Sequence, residues 1–247
     1  MQSIASRDNP LIKQTIRLRE SAQERRARGR FFLEGYRLCA DALASGYVPD
    51  VLFMTEAARL KYPLEYENVT LITESVAQKL GDTQNPQGVF ATCGGAPRFA
   101  FTAGGRYLAL ENVQNPDNLG AIARTAEGLG IDGLLVSGGC DVYHPKALRA
   151  SMGALLRLPV LQAENLPDAL LATPLPCYAA VPDADAVPVT QCDFAHGGIV
   201  VIGNEGSGLS EEAVAACGHK ITIPMGGRAE SLNAAAAAAI LCWEMVR

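Results

Sequence analysis

Three short segments in the C-terminal half constrain this chain most. They are NVQNPDNLGAIARTAEGLG from Asn112, VVIGNEGSGLS from Val200 and ITIPMGGRAESLNAAAAAA from Ile221. In each, an apolar run of strand length ends in polar or glycine-rich residues, where alternating strands and helices place their sites. A chain built of such units folds as an α/β protein.

The second half of the chain reads as such a domain from Arg106 to Arg247. Strands are expected at Tyr107–Glu111, Gly133–Val136, Cys177–Ala180, Gly198–Ile202 and Lys220–Ile223, and helices at Asn118–Leu129, Pro145–Ala150, Leu166–Ala172, Ser210–Ala216 and Leu232–Val246. The strands are short and apolar throughout, which predicts a mainly parallel sheet covered by helices on both faces. Before it, CGGAPRFAFTAGG from Cys93 is rich in Gly and Pro without helical period, so residues 95–105 read as a linker. Residues 1–94 form a smaller α/β unit. Its apolar runs are Phe31–Leu33, Val51–Met54, Val69–Ile72 and Gly88–Thr92, separated by helical stretches near Tyr36–Ala44, Glu56–Lys61 and Glu74–Leu80.

Asn9-Pro10 opens a helix with an apolar stripe at Leu11, Ile12, Ile16 and Leu18, followed by Arg17, Arg19, Arg25, Arg26, Arg28 and Arg30. Residues 1–40 hold nine Lys/Arg against four Asp/Glu, whereas the remaining chain holds 12 against 22, so the net charge of −5 conceals a basic arm on an acidic body. Such a local patch suffices for phosphate contacts, although a solvated helix face has the same composition. Arg17, Arg25, Arg26 and Arg28 are the candidates for gripping nucleic-acid phosphates.

The bulk composition is that of a folded protein, 49% hydrophobic and 19% charged, not of a disordered one. No apolar run approaches a membrane span, and the charge-dense stretch Arg17–Arg30 does not fit a secretory leader. Seven scattered cysteines and three histidines show neither metal-ligand nor redox spacing, so the expectation is buried thiols in a reducing cytoplasm and no metal.

Each segment also has a plainer reading. Asn118 could cap a helix and Arg124, six residues on, could form a surface ion pair. Gly203-Asn204-Glu205-Gly206-Ser207-Gly208 could be a turn into a Ser210-capped helix, and Ser231 could be an N-cap. The glycine loop is neither the dinucleotide Gly-x-Gly-x-x-Gly fingerprint nor a Gly-Lys-Ser/Thr phosphate loop, which counts against a nucleotide-dependent oxidoreductase. Its carboxylate would repel a phosphate but suit a cation or a ribose hydroxyl.

Taken together and in this order, the segments resemble the three motifs of the SpoU/TrmH family of S-adenosylmethionine-dependent RNA ribose 2′-O-methyltransferases. KALRASMGALLRLPV from Lys146 is similar to the family's intermediate segment. SRDNPLIKQ from Ser6 and FFLEGYRL from Phe31 resemble the N-terminal substrate-binding domain of ribosomal-RNA members, a ribosomal-protein-like RNA-binding fold. The resemblance implies a trefoil-knotted catalytic domain acting as a homodimer, S-adenosylmethionine as cofactor and RNA as substrate; the N-terminal domain, which minimal transfer-RNA enzymes usually lack, puts ribosomal RNA first and transfer RNA as the alternative. It implies Asn118, Arg124, Glu205, Ser231 and Asn233 as the catalytic set. Gly203, Ile223, Met225 and Leu232 would hold the cofactor, within loops at Ala180–Asp183, Ile202–Gly206 and Ile223–Leu232. Asn115 stands where many relatives carry Asp. The intact polar set argues against a non-catalytic RNA-binding protein of the same fold.

Overall fold

A computed structural model describes residues 3–95 and 99–247. Its first sheet is built from residues 3–94. In chain order the elements are β1 (Ser3–Ile4), α1 (Pro10–Glu20), α2 (Ala22–Arg28), β2 (Arg30–Glu34), α3 (Tyr36–Ala44), β3 (Pro49–Thr55), α4 (Glu56–Lys61), β4 (Val69–Ile72), α5 (Glu74–Leu80) and β5 (Val89–Gly94). The strand order is β1-β4-β3-β5-β2, with β5 antiparallel to both neighbours. Alternate residues of each strand face opposite ways. Phe32, Phe53 and Phe90 pack with Ile12, Leu18, Val76 and Leu80 of α1 and α5 on one face. Phe31, Leu33, Leu52 and Met54 pack with α3 on the other.

The expected single basic helix is two. Ser21 adopts extended backbone (φ −117°, ψ 116°) and its hydroxyl accepts from the Glu24 N–H, ending α1 and capping α2. Gly29, with φ 59°, closes α2 in the left-handed conformation that Gly adopts without strain.

The second sheet follows as β6 (Arg106–Glu111), α6 (Pro116–Gly128), β7 (Gly133–Ser137), α7 (Pro145–Ala150), α8 (Ala154–Arg157), β8 (Val160–Gln162), α9 (Leu166–Leu171), β9 (Cys177–Ala180), β10 (Val187–Pro188), a 3₁₀ turn (Val189–Gln191), β11 (Gly198–Ile202), α10 (Glu211–Ala216), β12 (His219–Thr222) and α11 (Ala234–Val246). Its order is β10-β12-β9-β11-β6-β7-β8, and all seven strands are parallel. Leu108, Leu110, Val200 and Ile202 turn to the side of α6, α7 and α11. Tyr107, Ala109, Ile199 and Val201 turn to the side of α9 and α10. Both faces are covered, so β6, β7 and β11 are apolar almost throughout.

The two sheets share one apolar cluster, in which Phe31 and Leu33 join Leu108, Leu119 and Leu148. Phe31 stacks on Tyr143 at 4.5 Å and 6°. Arg25 pairs with Asp141 at 2.6 Å, Arg149 with Asp82 at 2.7 Å and Arg157 with Asp41 at 3.2 Å. The described part of the expected linker is also packed. Phe99 and Phe101 meet edge to face at 5.0 Å, and both contact Tyr107. Residues 96–98 of that linker lie outside the described residues.

Candidate active site

The chain leaves β6 at Glu111 and turns at Asn112, whose φ of 54° is one that Asn tolerates. Asn115 caps α6 by accepting the Asp117 N–H at 2.9 Å, and Pro116 takes the first helical position. Asn118 is therefore the third helical residue rather than the cap. Its side chain, nearly buried at 9% exposure, is available to reach across the strand ends.

Asn118 Nδ2 donates to Glu205 Oε1 at 2.9 Å, and Asn118 Oδ1 accepts from Asn233 Nδ2 at 3.1 Å. A carboxylate only accepts, so the Asn118 nitrogen must face Glu205 and its oxygen must face Asn233. One amide thus joins all three motifs. Asn233 Oδ1 accepts from the Ala235 and Ala236 N–H groups, so Asn233, not Ser231, caps α11.

Glu205 also accepts from the backbone N–H of Gln114 at 3.1 Å and of Asn115 at 3.2 Å. Partial burial pushes its pKa up. The Asn118 amide and the surrounding backbone N–H groups outweigh that, and the carboxyl is held below its ordinary value. It is a fixed negative charge at neutral pH.

The glycine loop is held by its own residues. Asn204 and Gly208 exchange backbone bonds at 3.0 Å, and Asn204 Oδ1 accepts from Gly206 N at 2.9 Å and Ser207 N at 3.0 Å. Asn204 Nδ2 donates to the Asn112 carbonyl at 2.8 Å, tying this loop to the first motif. A Cβ on Gly203 would collide with the Gly208 carbonyl, so only glycine lets these backbones meet. Below them, the buried Glu111 carboxylate accepts from Ser210 N at 2.8 Å and Ser210 Oγ at 2.6 Å, while Ser210 caps α10. Asn112, Asn204 and Glu111 were not singled out in the sequence. Their signal was a polar residue at each strand end, which many turns share.

Arg124 lies less than two turns beyond Asn118, is exposed, and has neither ion pair nor hydrogen bond among the described residues. Ser231, Leu232 and Met225 are exposed as well, and Ile223 packs against the core. The loops after Ala180, Ile202 and Thr222 leave the carboxyl ends of β9, β11 and β12, which are adjacent parallel strands. Such ends are where open parallel sheets bind cofactors. Gly203, Ile223, Met225 and Leu232 all lie on two of these loops.

Arg25 is corrected. It is 3% exposed and is spent on Asp141 and on the carbonyls of Leu18 at 2.6 Å and Arg19 at 2.9 Å, so it cannot meet RNA. Arg17 and Arg26 are exposed, as is Arg28, which pairs with Glu24 at 2.8 Å. Among the described residues there is no group of His, Cys, Asp and Glu that could hold a metal ion. Burial pushes the Cys140 thiol, beside the first motif, up to about 11, with the Asp141 charge adding to it. It is protonated at neutral pH and is no nucleophile.

Residues 105–243 match the SpoU rRNA Methylase family. This chain belongs to that family. Residues 9–91 match the MRM3-like substrate binding domain. A Synechocystis protein known as an uncharacterized tRNA/rRNA methyltransferase is 34% identical over 99% of this chain and 93% of its own. The Bacillus subtilis 23S rRNA (guanosine(2553)-2′-O)-methyltransferase RlmP is 29% identical over 99% of both chains. The SpoU methyltransferase AviRb of Streptomyces viridochromogenes, solved with AdoMet, superposes with a TM-score of 0.86 at 27% identity, covering 96% of this chain and 97% of its own. The SpoU signature in this chain thus coincides with the second sheet, where the Asn118 network lies.

Proposed function

We propose that this chain is an S-adenosylmethionine-dependent methyltransferase that modifies a ribose 2′-hydroxyl of ribosomal RNA. The observation that carries this reading is Asn118 bridging Glu205 and Asn233, with Arg124, exposed and without a partner among the described residues, on the same helix. Relatives that act on 23S rRNA, and a close structural counterpart solved with AdoMet, support it. The N-terminal unit supports a ribosomal over a transfer-RNA substrate, because the match to the 23S rRNA enzyme RlmP extends through it, over 99% of this chain.

S-adenosylmethionine supplies a methyl group already activated on a sulfonium. The protein's task is then positioning and charge stabilisation. The Arg124 guanidinium would steady the negative charge that develops on the 2′-oxygen, or clamp the adjacent phosphate. Glu205 and Asn118, fixed by their hydrogen bonds, set the first motif and hold α6 in register with α11. Ser231, exposed and two residues before Asn233 in the third motif, would meet the ribose. Backbone groups at Gly203, Ile223, Met225 and Leu232 would hold the cofactor.

We assign residues 1–94 to substrate binding and 106–247 to catalysis. β11 inserted between β9 and β6, with β12 and α11 following, supports the knotted threading of the family. The exposed stripe Ala236, Ile240 and Trp243 on α11 supports a homodimer, because it leaves apolar surface at helical spacing uncovered. A cytoplasmic location fits the ribosomal substrate.

Methyl transfer from radiolabelled S-adenosylmethionine to ribosomal RNA from cells lacking this gene tests the reading. Label in a 2′-O-methylnucleoside, absent with Arg124→Ala, is expected. Near-normal turnover by that variant overturns the role of Arg124. No label on RNA or ribosomal particles, together with no cofactor binding, overturns the class.

A further inference from the structure

At the start of α3 and just after α4, Tyr36 and Tyr62 stack with ring centroids 4.8 Å apart and planes 14° from parallel. Both rings are half-buried against the core. Neither hydroxyl has a hydrogen bond among the described residues. The Lys61 ammonium stands 5.2 Å from the Tyr62 ring centroid, and Arg37, next to Tyr36, is exposed without a partner among the described residues. Gln87 Oε1 accepts the Tyr36 backbone N–H at 2.9 Å, which leaves the Gln87 amide nitrogen available for a ligand.

The loop that carries Gln87 is held in place. The buried Glu34 carboxylate accepts from Asp82 N at 2.7 Å and from Thr83 Oγ1 at 2.5 Å. Thr83, Gln84, Asn85 and Gln87 are exposed along it. Asp82 pairs with Arg149 of α7, and α7 packs so closely on α6 that a Cβ on Gly120 would lie 2.6 Å from the Ala147 carbonyl. A continuous set of contacts therefore links the tyrosine pair to the helix carrying Asn118 and Arg124.

Sequence-specific RNA recognition uses unpaired bases, which stack on aromatic rings and bond to amide side chains, while cations hold the flanking phosphates. These elements stand together here. We propose that the Tyr36–Tyr62 stack, with Gln87 at its edge and Lys61 and Arg37 beside it, receives an unpaired base of the RNA substrate. This rests on the RNA-methyltransferase reading. It separates base recognition, at the tyrosines, from phosphate contacts by Arg17, Arg26 and Arg28. A base on Tyr62 would displace the Lys61 ammonium from the ring and leave it free for a phosphate.

The test uses the full chain and two fluorescein-labelled probes, a short oligoadenylate and a blunt RNA duplex, read by anisotropy. Tyr62→Leu keeps apolar volume and removes the stack, Tyr62→Phe keeps the stack, and the exposed Lys61→Glu is not expected to disturb folding. Tyr62→Leu and Lys61→Glu should each weaken oligoadenylate binding about tenfold. Tyr62→Phe should bind as wild type, and duplex binding by Tyr62→Leu should be unchanged. Wild type failing to bind oligoadenylate, Tyr62→Leu binding it normally, or Tyr62→Leu losing both probes by the same factor overturns the proposal. If wild type transfers no methyl to RNA while Tyr62→Leu still selectively loses oligoadenylate, the enzymatic reading fails and the base-binding surface stands.

Discussion

Arg25 and Asp141, 116 residues apart in sequence, form an ion pair at 2.6 Å in which both side chains are buried. Asp141 also accepts the Tyr143 N–H at 2.9 Å, and the adjoining Cys140 N–H bonds to the Val113 carbonyl at 2.8 Å. The pair therefore ties α2 to the loop that lies on the first motif. Removing one partner of a buried pair leaves the other charge unpaired and typically costs about 3–5 kcal/mol. Arg25→Met should lower the denaturant midpoint accordingly. A variant as stable as wild type in urea unfolding would remove this pair from the account of how the two sheets are held.

Glu205 governs the acid side of the pH response. Its folded pKa lies below its unfolded one, so it contributes stability above the ordinary carboxylate value. That contribution is lost only as pH falls through the lower folded value. Turnover between neutral and mildly acidic pH should therefore show no inflection from Glu205. Glu205→Ala removes the acceptor for Asn118, Gln114 and Asn115 and should reduce turnover about a hundredfold through misplacement of the first motif. An inflection near neutrality that disappears in this variant would show that Glu205 titrates during turnover.

The sequence conveyed most of the strands and helices because both faces of the second sheet are covered, so each strand stands out as an apolar run. It missed β1, β8 and β10, which have two, three and two residues and offer no period to read. In Asn115-Pro116-Asp117-Asn118 either Asn could cap. The structure gives the cap to Asn115, which frees Asn118 for its bridging role. The break at Ser21 was legible, since Ser21 with Glu24 is a helix-start pattern, but the arginine run masked it. Nothing local marks Arg25 as buried among exposed arginines. Only the distant Asp141 does so, and contacts of that separation cannot be read from one strand of sequence.

Gly120 should tolerate no side chain. An added Cβ would lie 2.5 Å from the Ala150 Cβ and 2.6 Å from the Ala147 carbonyl, so α6 and α7 would have to separate. Overpacking of this kind costs roughly 1–3 kcal/mol. Because α6 carries Asn118 and Arg124, turnover should fall along with the melting temperature. Gly128 on the same helix has open space, and Gly128→Ala should leave both nearly unchanged.

The arginines of the basic arm should separate by the salt dependence of RNA binding. Each phosphate contact releases counterions, so removing one cation that touches the backbone lowers the slope of log K against log salt by about one. Arg26 is exposed and Arg28, also exposed, forms a surface pair with Glu24. Arg26→Gln and Arg28→Gln should each flatten the slope and weaken binding without altering the unfolding midpoint. Arg25→Lys keeps the charge in its buried place and should leave the slope at the wild-type value, although Lys cannot reproduce the three bonds of the guanidinium and stability should drop. Slopes that stay at the wild-type value for both Arg26→Gln and Arg28→Gln would place the RNA phosphates away from α2.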